Sequence, residues 1–250
     1  MERLREGYFD VELMARAFPD LLREGLANTV ILSFAAMALG LAAGMALALM
    51  AISRRWWVRL PAKIYIDIFR GLPAILTIVL VGLGLPTAGF RPFGRNTFAY
   101  AILALGMIAT AYIAEIYRAG IESVDPGQME AARSVGMPYL MAMWVVVIPQ
   151  GVRRVLPPLT NEFIALIKDS SLVFVLGLSI GDRELFRVGQ SIVNIEANYS
   201  PLVMAGVFYL FITIPLTHLV NLLDRHLRDG GGVATDEELP ASANPAPRRA

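Results

Sequence analysis

From Gly25 to Ser53 the chain carries no charged residue, and Thr29–Ile52 is dominated by Ala, Leu, Met, Ile and Val. A helix needs about 20 such residues to cross the hydrocarbon core of a bilayer. In lipid only helices and closed barrels satisfy their own backbone polar groups. One stretch of this kind therefore sets the solvent of the chain as lipid. The remainder agrees. Hydrophobic residues make up 56% and charged residues 17%, against about 25% charged in soluble domains, and the mean hydropathy is +0.57. A net charge of +1 offers no electrostatic case for nucleic acid. There is no Cys, which excludes disulfides, thiolate metal sites and a Cys nucleophile. The two histidines, His218 and His226, have no carboxylate at a ligand-like spacing. No metal site and no catalytic constellation emerges. The 250 residues hold four to six spans of about 20 residues, with no room for a separate soluble catalytic domain of normal size.

Further apolar stretches follow at about 60–85, 97–120 and 198–224. Lys63, Asp67 and Arg70 occupy the first third of the 60–85 stretch, so its start belongs at the interface, and Gly71 with Pro73 marks a local break. The middle is ambiguous. Ser134–Gly151 is uncharged, whereas Val155–Gly181 is apolar but contains Glu162, Lys168 and Asp169. Counting both gives six spans and counting one gives five. Charge bias arbitrates. Arg54, Arg55, Arg59, Lys63 and Arg70 follow the first span, only Arg91 and Arg95 follow the second, and Arg225 and Arg228 follow the last. A first loop and a C-terminus both inside require an odd number, so five spans are expected, with the N-terminus outside. Residues 1–24 read as a mixed-charge amphipathic lead-in rather than a signal peptide. Residues 229–250 read as a disordered cytoplasmic tail by composition. Gly40 and Gly44 form a G-x-x-x-G pair, which either permits close helix approach or is simply part of a small-residue span.

The loop after the third span carries the most specific pattern. Asp125 is an N-cap residue and Pro126 suits a first helical turn, so a short helix is expected from here to about Gly136. Small residues at Ala131 and Ala132, flanked by charges, give it a docking shape, and Glu130 can pair with a basic residue on a partner. The run Glu130-Ala131-Ala132-x-x-x-Gly136, nine further residues, then Val146-Val147-Ile148-Pro149 resembles the EAA loop of ABC importer permeases. The family pattern is E-A-A, three residues, G, nine residues, I-x-L-P. Val146 and Ile148 are conservative departures from it. Phe69-Arg70-Gly71-Leu72-Pro73 and the run Leu156-Pro157-Pro158 through Lys168-Asp169-Ser170-Ser171-Leu172 resemble signatures of the polar amino-acid uptake subfamily. The resemblance covers roughly Leu26 to Arg228.

It implies an all-α integral membrane protein, a type I permease with five transmembrane helices and a cytoplasmic coupling helix. Its N-terminus would lie outside and its C-terminus inside. The permease domain would cover 25–228, with spans near 26–53, 60–85, 97–120, 153–178 and 198–224 and an EAA coupling loop at 121–150. Tyr139–Ile148 would lie at the cytoplasmic interface and not cross. The implied role is the permease subunit of an ATP-driven amino-acid importer in a bacterial inner or plasma membrane. No phosphate-binding G-x-x-x-x-G-K-[ST] loop occurs in the chain. The chain is therefore expected to bind no cofactor, with ATP and Mg held by separate ABC ATPase subunits. Its other implied partners are a second permease copy or a paralogue, an extracytoplasmic binding protein, the amino-acid substrate and membrane lipid. In the coupling loop, Glu130 would be the charge anchor, Ala131 and Ala132 the close-contact face, and Gly136 the turn.

Asn161, Ala165 and Lys168 share one helical face, and Glu162 and Asp169 lie on the adjacent stripe. Ionisable groups at membrane depth are costly unless they pair or line water. Asn161 and Glu162 therefore contact substrate in a polar cavity, or pack between subunits. Lys168 and Asp169 line the path, or pair near its outer end. Arg70 meets a substrate carboxylate, or anchors at the headgroups. Glu115 and Arg118, at i and i+3, are expected to pair. Two other functions stay open on the residues alone. One is an ion-gradient transporter using Glu162 and Asp169, and the other is a non-transporting scaffold that recruits a soluble partner through the coupling loop.

Overall fold

A computed structural model describes residues 2–229, in which all regular structure is helical. The tail from residue 230, expected to be disordered, lies outside the described residues. α1 (Glu2–Tyr8) is followed by α2 (Val11–Asp20), whose N-cap Asp10 accepts a hydrogen bond from the Leu13 amide at 3.0 Å. α2 passes through a π-helical turn, Leu21–Leu26, directly into α3 (Ala27–Ala51). The lead-in is therefore joined to the first apolar helix without a break. Pro19 lies two residues before the π turn, and its missing amide disturbs the ladder without ending the helix.

α4 (Trp56–Gly71) is bent by 110° from the helical stretch Ala74–Thr87 that follows. That stretch comprises α5 (Ala74–Val79), a π turn and α6 (Leu85–Thr87). The apolar run at 60–85 is thus not one straight helix. Pro73 has no amide to donate and drives Leu72 into extended backbone, at φ −83° and ψ 142°. α7 (Thr97–Glu122), capped by Asn96, is the central helix. α8 (Pro126–Ser134) follows a short link. α9 (Tyr139–Ala142) leads through a π turn, Met143–Val147, into α10 (Ile148–Asp169). This helical run starts well before residue 153, where the sequence placed the fourth span, because Tyr139–Ala142 and the π turn Met143–Val147 continue into it without a break. A 3₁₀ segment, Ser170–Leu176, ends at Gly177 in the left-handed region. α11 (Leu185–Glu196) and α12 (Ser200–Asp229) complete the described chain.

Among the described residues three helices are long and apolar enough to cross a membrane, Arg5–Ala51, Thr97–Glu122 and Ser200–Leu222, and the bent pair Trp56–Gly71 with Ala74–Thr87 brings the count to four. α10 falls short because Arg153, Arg154, Glu162, Lys168 and Asp169 interrupt it.

α3 and α7 form the core pair. A Cβ on Gly40 would lie 2.8 Å from Ile113 Cδ1 and 2.9 Å from Ala109 Cβ, and one on Gly44 3.0 Å from Ile113 Cγ2. Both glycines of the G-x-x-x-G pair therefore face α7 of the same chain, letting the backbones approach closely. In return, Leu39 packs over Gly106 of α7. Ile78, Leu166 and Val173 close this core from α5, α10 and the 3₁₀ segment. A second cluster ties Ala17 and Leu21 to Leu185, Val188, Ala205 and Phe208. Outside the cores, α12 presents Leu210, Phe211, Ile214, Leu219 and Leu222 outward, Phe211 with 76% of its surface exposed. Water would penalise such a face, whereas lipid tails are as apolar as the side chains.

Candidate functional site

α8 is short and firmly delimited. The Asp125 carboxylate accepts from the Gly127 amide at 2.7 Å, and Pro126 fills the first position, where no amide is needed. At the other end Gly136 has φ +89°. Its amide donates to the Arg133 carbonyl at 3.0 Å, and the Met137 amide donates to the Ala132 carbonyl at 3.2 Å. These two bonds form a Schellman closure, which needs a residue in the left-handed region and so favours glycine.

The sequence-predicted residues of α8 divide. Glu130 and Ala131 are exposed, while Ala132 is buried and faces its own chain, where α8 packs on the Tyr139–Val147 stretch. In nine residues, two adjacent alanines give no sign of which one points inward. Two side-chain contacts join the α8 region to α10. Gln150 Nε2 donates to Gln128 Oε1 at 3.3 Å, and the Arg154 guanidinium donates to the Ser123 carbonyl in the link before α8.

The C-terminal part of α7 carries the expected ion pair and extends it. Arg118 pairs with Glu115, its Nε donating to Oε2 at 3.0 Å, and also with Glu122. Beside this network an open cavity of about 350 Å³ is lined by Arg70, Tyr112, Glu115, Ser123, Arg154 and Pro158, among others. Arg70 lies 5.5 Å from the centroid of the Tyr112 ring, a cation–π distance. α10 contributes Arg154 and Pro158 to the cavity, but Asn161 and Glu162, a turn further on, do not line it. The structure therefore separates Arg70 from the other candidate substrate residues. On α10, Asn161 and Lys168 are exposed and Glu162, Ala165 and Asp169 are half-buried. Among the described residues no ion pair joins Lys168 to Asp169.

Sequence reasoning missed one polar assembly. Glu24, at the start of the uncharged stretch, pairs with Arg183 at 2.6 Å and accepts the Gly181 amide at 2.8 Å. Asn28 donates to the carbonyls of Gly181 and Arg183 at 2.9 and 3.0 Å. Next to this clamp Glu184 is fully buried and caps α11, accepting the Arg187 amide at 2.8 Å and the Tyr209 hydroxyl at 3.2 Å. Burial pushes its carboxyl up to about 7, against the opposing pull of those hydrogen bonds. The available signal was an Arg-Glu pair in a short link between two apolar stretches, with Glu24 and Asn28 one turn apart.

Most of the chain has counterparts. It is 34% identical over 217 residues to the probable amino-acid permease protein YxeN of Bacillus subtilis, covering 86% of this chain and 95% of that one. It is 35% identical over 208 residues to the arginine transport system permease protein ArtQ of the same organism, covering 82% and 91%. Among solved structures, the crystal structure of an amino acid ABC transporter with histidines matches with a TM-score of 0.77 at 35% identity, covering 87% of this chain and 98% of that one. The MetNI methionine ABC transporter in an inward-facing form shares the fold, at 18% identity and a TM-score of 0.66. Residues 28–229 match the family model throughout, and the chain belongs to the binding-protein-dependent transport system inner membrane components.

Proposed function

We propose that this chain is the transmembrane permease subunit of an ATP-driven importer of amino acids and that α8 is its contact with separate ATPase subunits. The observation that carries the proposal is α8 itself. It is capped at both ends, seated on its own chain through Ala132, and offers Glu130 and Ala131 outward. Glu130 is the anchor for a basic residue of the ATPase, Ala131 permits close approach, and Gly136 ends the helix. With the N-terminus outside and the C-terminus inside, as the charge bias reads, α8 falls on the ATPase side. Closure of the ATPase pair pushes α8, and the Gln128–Gln150 and Ser123–Arg154 contacts pass the displacement to α10. α10 carries Asn161 and Glu162 as substrate contacts, with Lys168 and Asp169 further along the path. Arg70 acts apart from them, at the cavity edge. ATP and Mg belong to the ATPase partner. A second permease copy or paralogue and an extracytoplasmic binding protein complete the assembly. Relatives described as arginine, glutamine and octopine permeases favour a polar or charged amino acid as substrate.

The test is purification of the chain from native membranes in mild detergent, beside Glu130→Arg, with mass spectrometry of what accompanies it. An ABC ATPase that comes with the native chain and is lost from the variant is expected. If no ATPase accompanies either form, and uptake collapses with an ionophore, the proposal fails and an ion-gradient transporter replaces it.

A further inference from the structure

α4 differs from the other long helices in how its faces are distributed. At about 100° per residue, its residues sort into three stripes. Ala62 and Ile66 are buried against Ala51 and Ala114. Tyr65 lies on the same side and donates to the Met107 carbonyl at 3.0 Å. Along one edge of this buried face run Arg59, Lys63 and Arg70, all exposed. Among the described residues none of the three has a carboxylate within 4.0 Å, though Arg70 lies over Tyr112 and both Lys63 and Arg70 act on the more distant Glu115 carboxylate. On the far side Trp57, Leu60, Ile64 and Ile68 form an exposed apolar stripe, and Asp67 sits between that stripe and the basic edge. The axis of α4 is turned 110° from the stretch Ala74–Thr87. The two axes therefore cannot both run along the membrane normal.

We propose that α4 lies in the membrane interface and binds acidic phospholipid. Its apolar stripe enters the acyl region, and the Arg59–Lys63 edge takes the headgroup phosphates, while Arg70 stays over Tyr112 at the cavity. The segregated stripes are those of an in-plane amphipathic helix, and an exposed basic edge without a bonded carboxylate is complementary to an anionic leaflet. The inference rests on the chain being the membrane subunit described above, but its test does not depend on the ATPase contact.

The chain has no Cys, so Leu60→Cys, Ile64→Cys and Ile68→Cys can each carry a single nitroxide on the full chain in vesicles of phosphatidylcholine with phosphatidylglycerol. Collision with oxygen and with a water-soluble nickel chelate gives the depth of each label. The outer two positions are separated by about 12 Å along the axis. An in-plane helix therefore gives depths agreeing within about 4 Å, with oxygen favoured over nickel at all three. Depths that differ by about 12 Å mean that α4 crosses, and labels shielded from both reagents mean that protein covers it. Either result overturns the proposal. The acidic-lipid part is read from the lipids retained by the purified chain out of an equal mixture of the two. Arg59→Gln with Lys63→Gln should lower the preference for phosphatidylglycerol by about an order of magnitude, and Asp67→Lys, which adds a cation to the same edge, should raise it. An unchanged preference in both variants overturns it.

Discussion

Gly40 and Gly206 both lie in long apolar helices, yet an added methyl group should act on them with opposite sign. At Gly40 the new Cβ would meet Ile113 Cδ1 at 2.8 Å and Ala109 Cβ at 2.9 Å, with the Ala109 carbonyl carbon at 3.3 Å. Ordinary carbon–carbon contacts sit near 3.5–4.0 Å. The Ile113 tip can rotate away, but Ala109 Cβ is fixed to its helix, so α3 and α7 must separate. Overpacking of this kind costs about 1–3 kcal/mol, offset by the roughly 0.5–1 kcal/mol that alanine gains over glycine within a helix. At Gly206 nothing lies within 4 Å of the new Cβ, so only the gain remains. The two variants should differ by about 2 kcal/mol, which for a chain of this size is about 4–8 °C in melting midpoint. The assay is thermal unfolding of Gly40→Ala and Gly206→Ala in one detergent beside the native chain. Gly40→Ala should melt below the native chain and Gly206→Ala at or above it. If the two melt within about 1 °C of each other, the α3–α7 contact is not the constraint argued here.

Two further outcomes follow from the polar groups. Glu184, with its carboxyl raised from 4.5 to about 7, binds its proton more tightly folded than unfolded. Stability present below pH 4.5 should therefore fall as pH rises through about 7, and Glu184→Gln should flatten the melting profile between pH 5 and 8. Gly136→Ala forces a side chain into φ +89° at about 1 kcal/mol, which should raise amide exchange across 126–136 about fivefold, with little change in the global midpoint.

What the sequence disclosed and what it withheld divide along the range of the forces involved. The ends of α8 were legible because Asp125, Pro126 and Gly136 act on their own backbone neighbours. The break before Pro73 was legible for the same reason, but its 110° angle was not, since that depends on what α4 and α5 pack against. The spacing of Gly40 and Gly44 announced a close approach without naming α7 as the partner. Glu24 read only as the edge of an apolar stretch, because its partner Arg183 lies far along the chain. The inward turn of Ala132 was equally hidden, since no periodicity can be read from nine residues with two adjacent alanines.

The helical run from Tyr139 to Asp169 is about 45 Å long, with the contacts to the α8 region at Gln150 and Arg154 and the polar residues from Asn161 onward. Pro157 and Pro158 fall between the two groups. Consecutive prolines remove two donors from the helical ladder, leaving the carbonyls of Arg153 and Arg154 without their usual intrahelical partners. The rod is therefore softest midway between the end that is pushed and the end that is polar. It acts as a jointed arm rather than a stiff one. On the coupling proposed above, a thrust on α8 bends the run at this joint, and the joint angle becomes a coordinate separate from the packing of α10 on α3, α7 and α12.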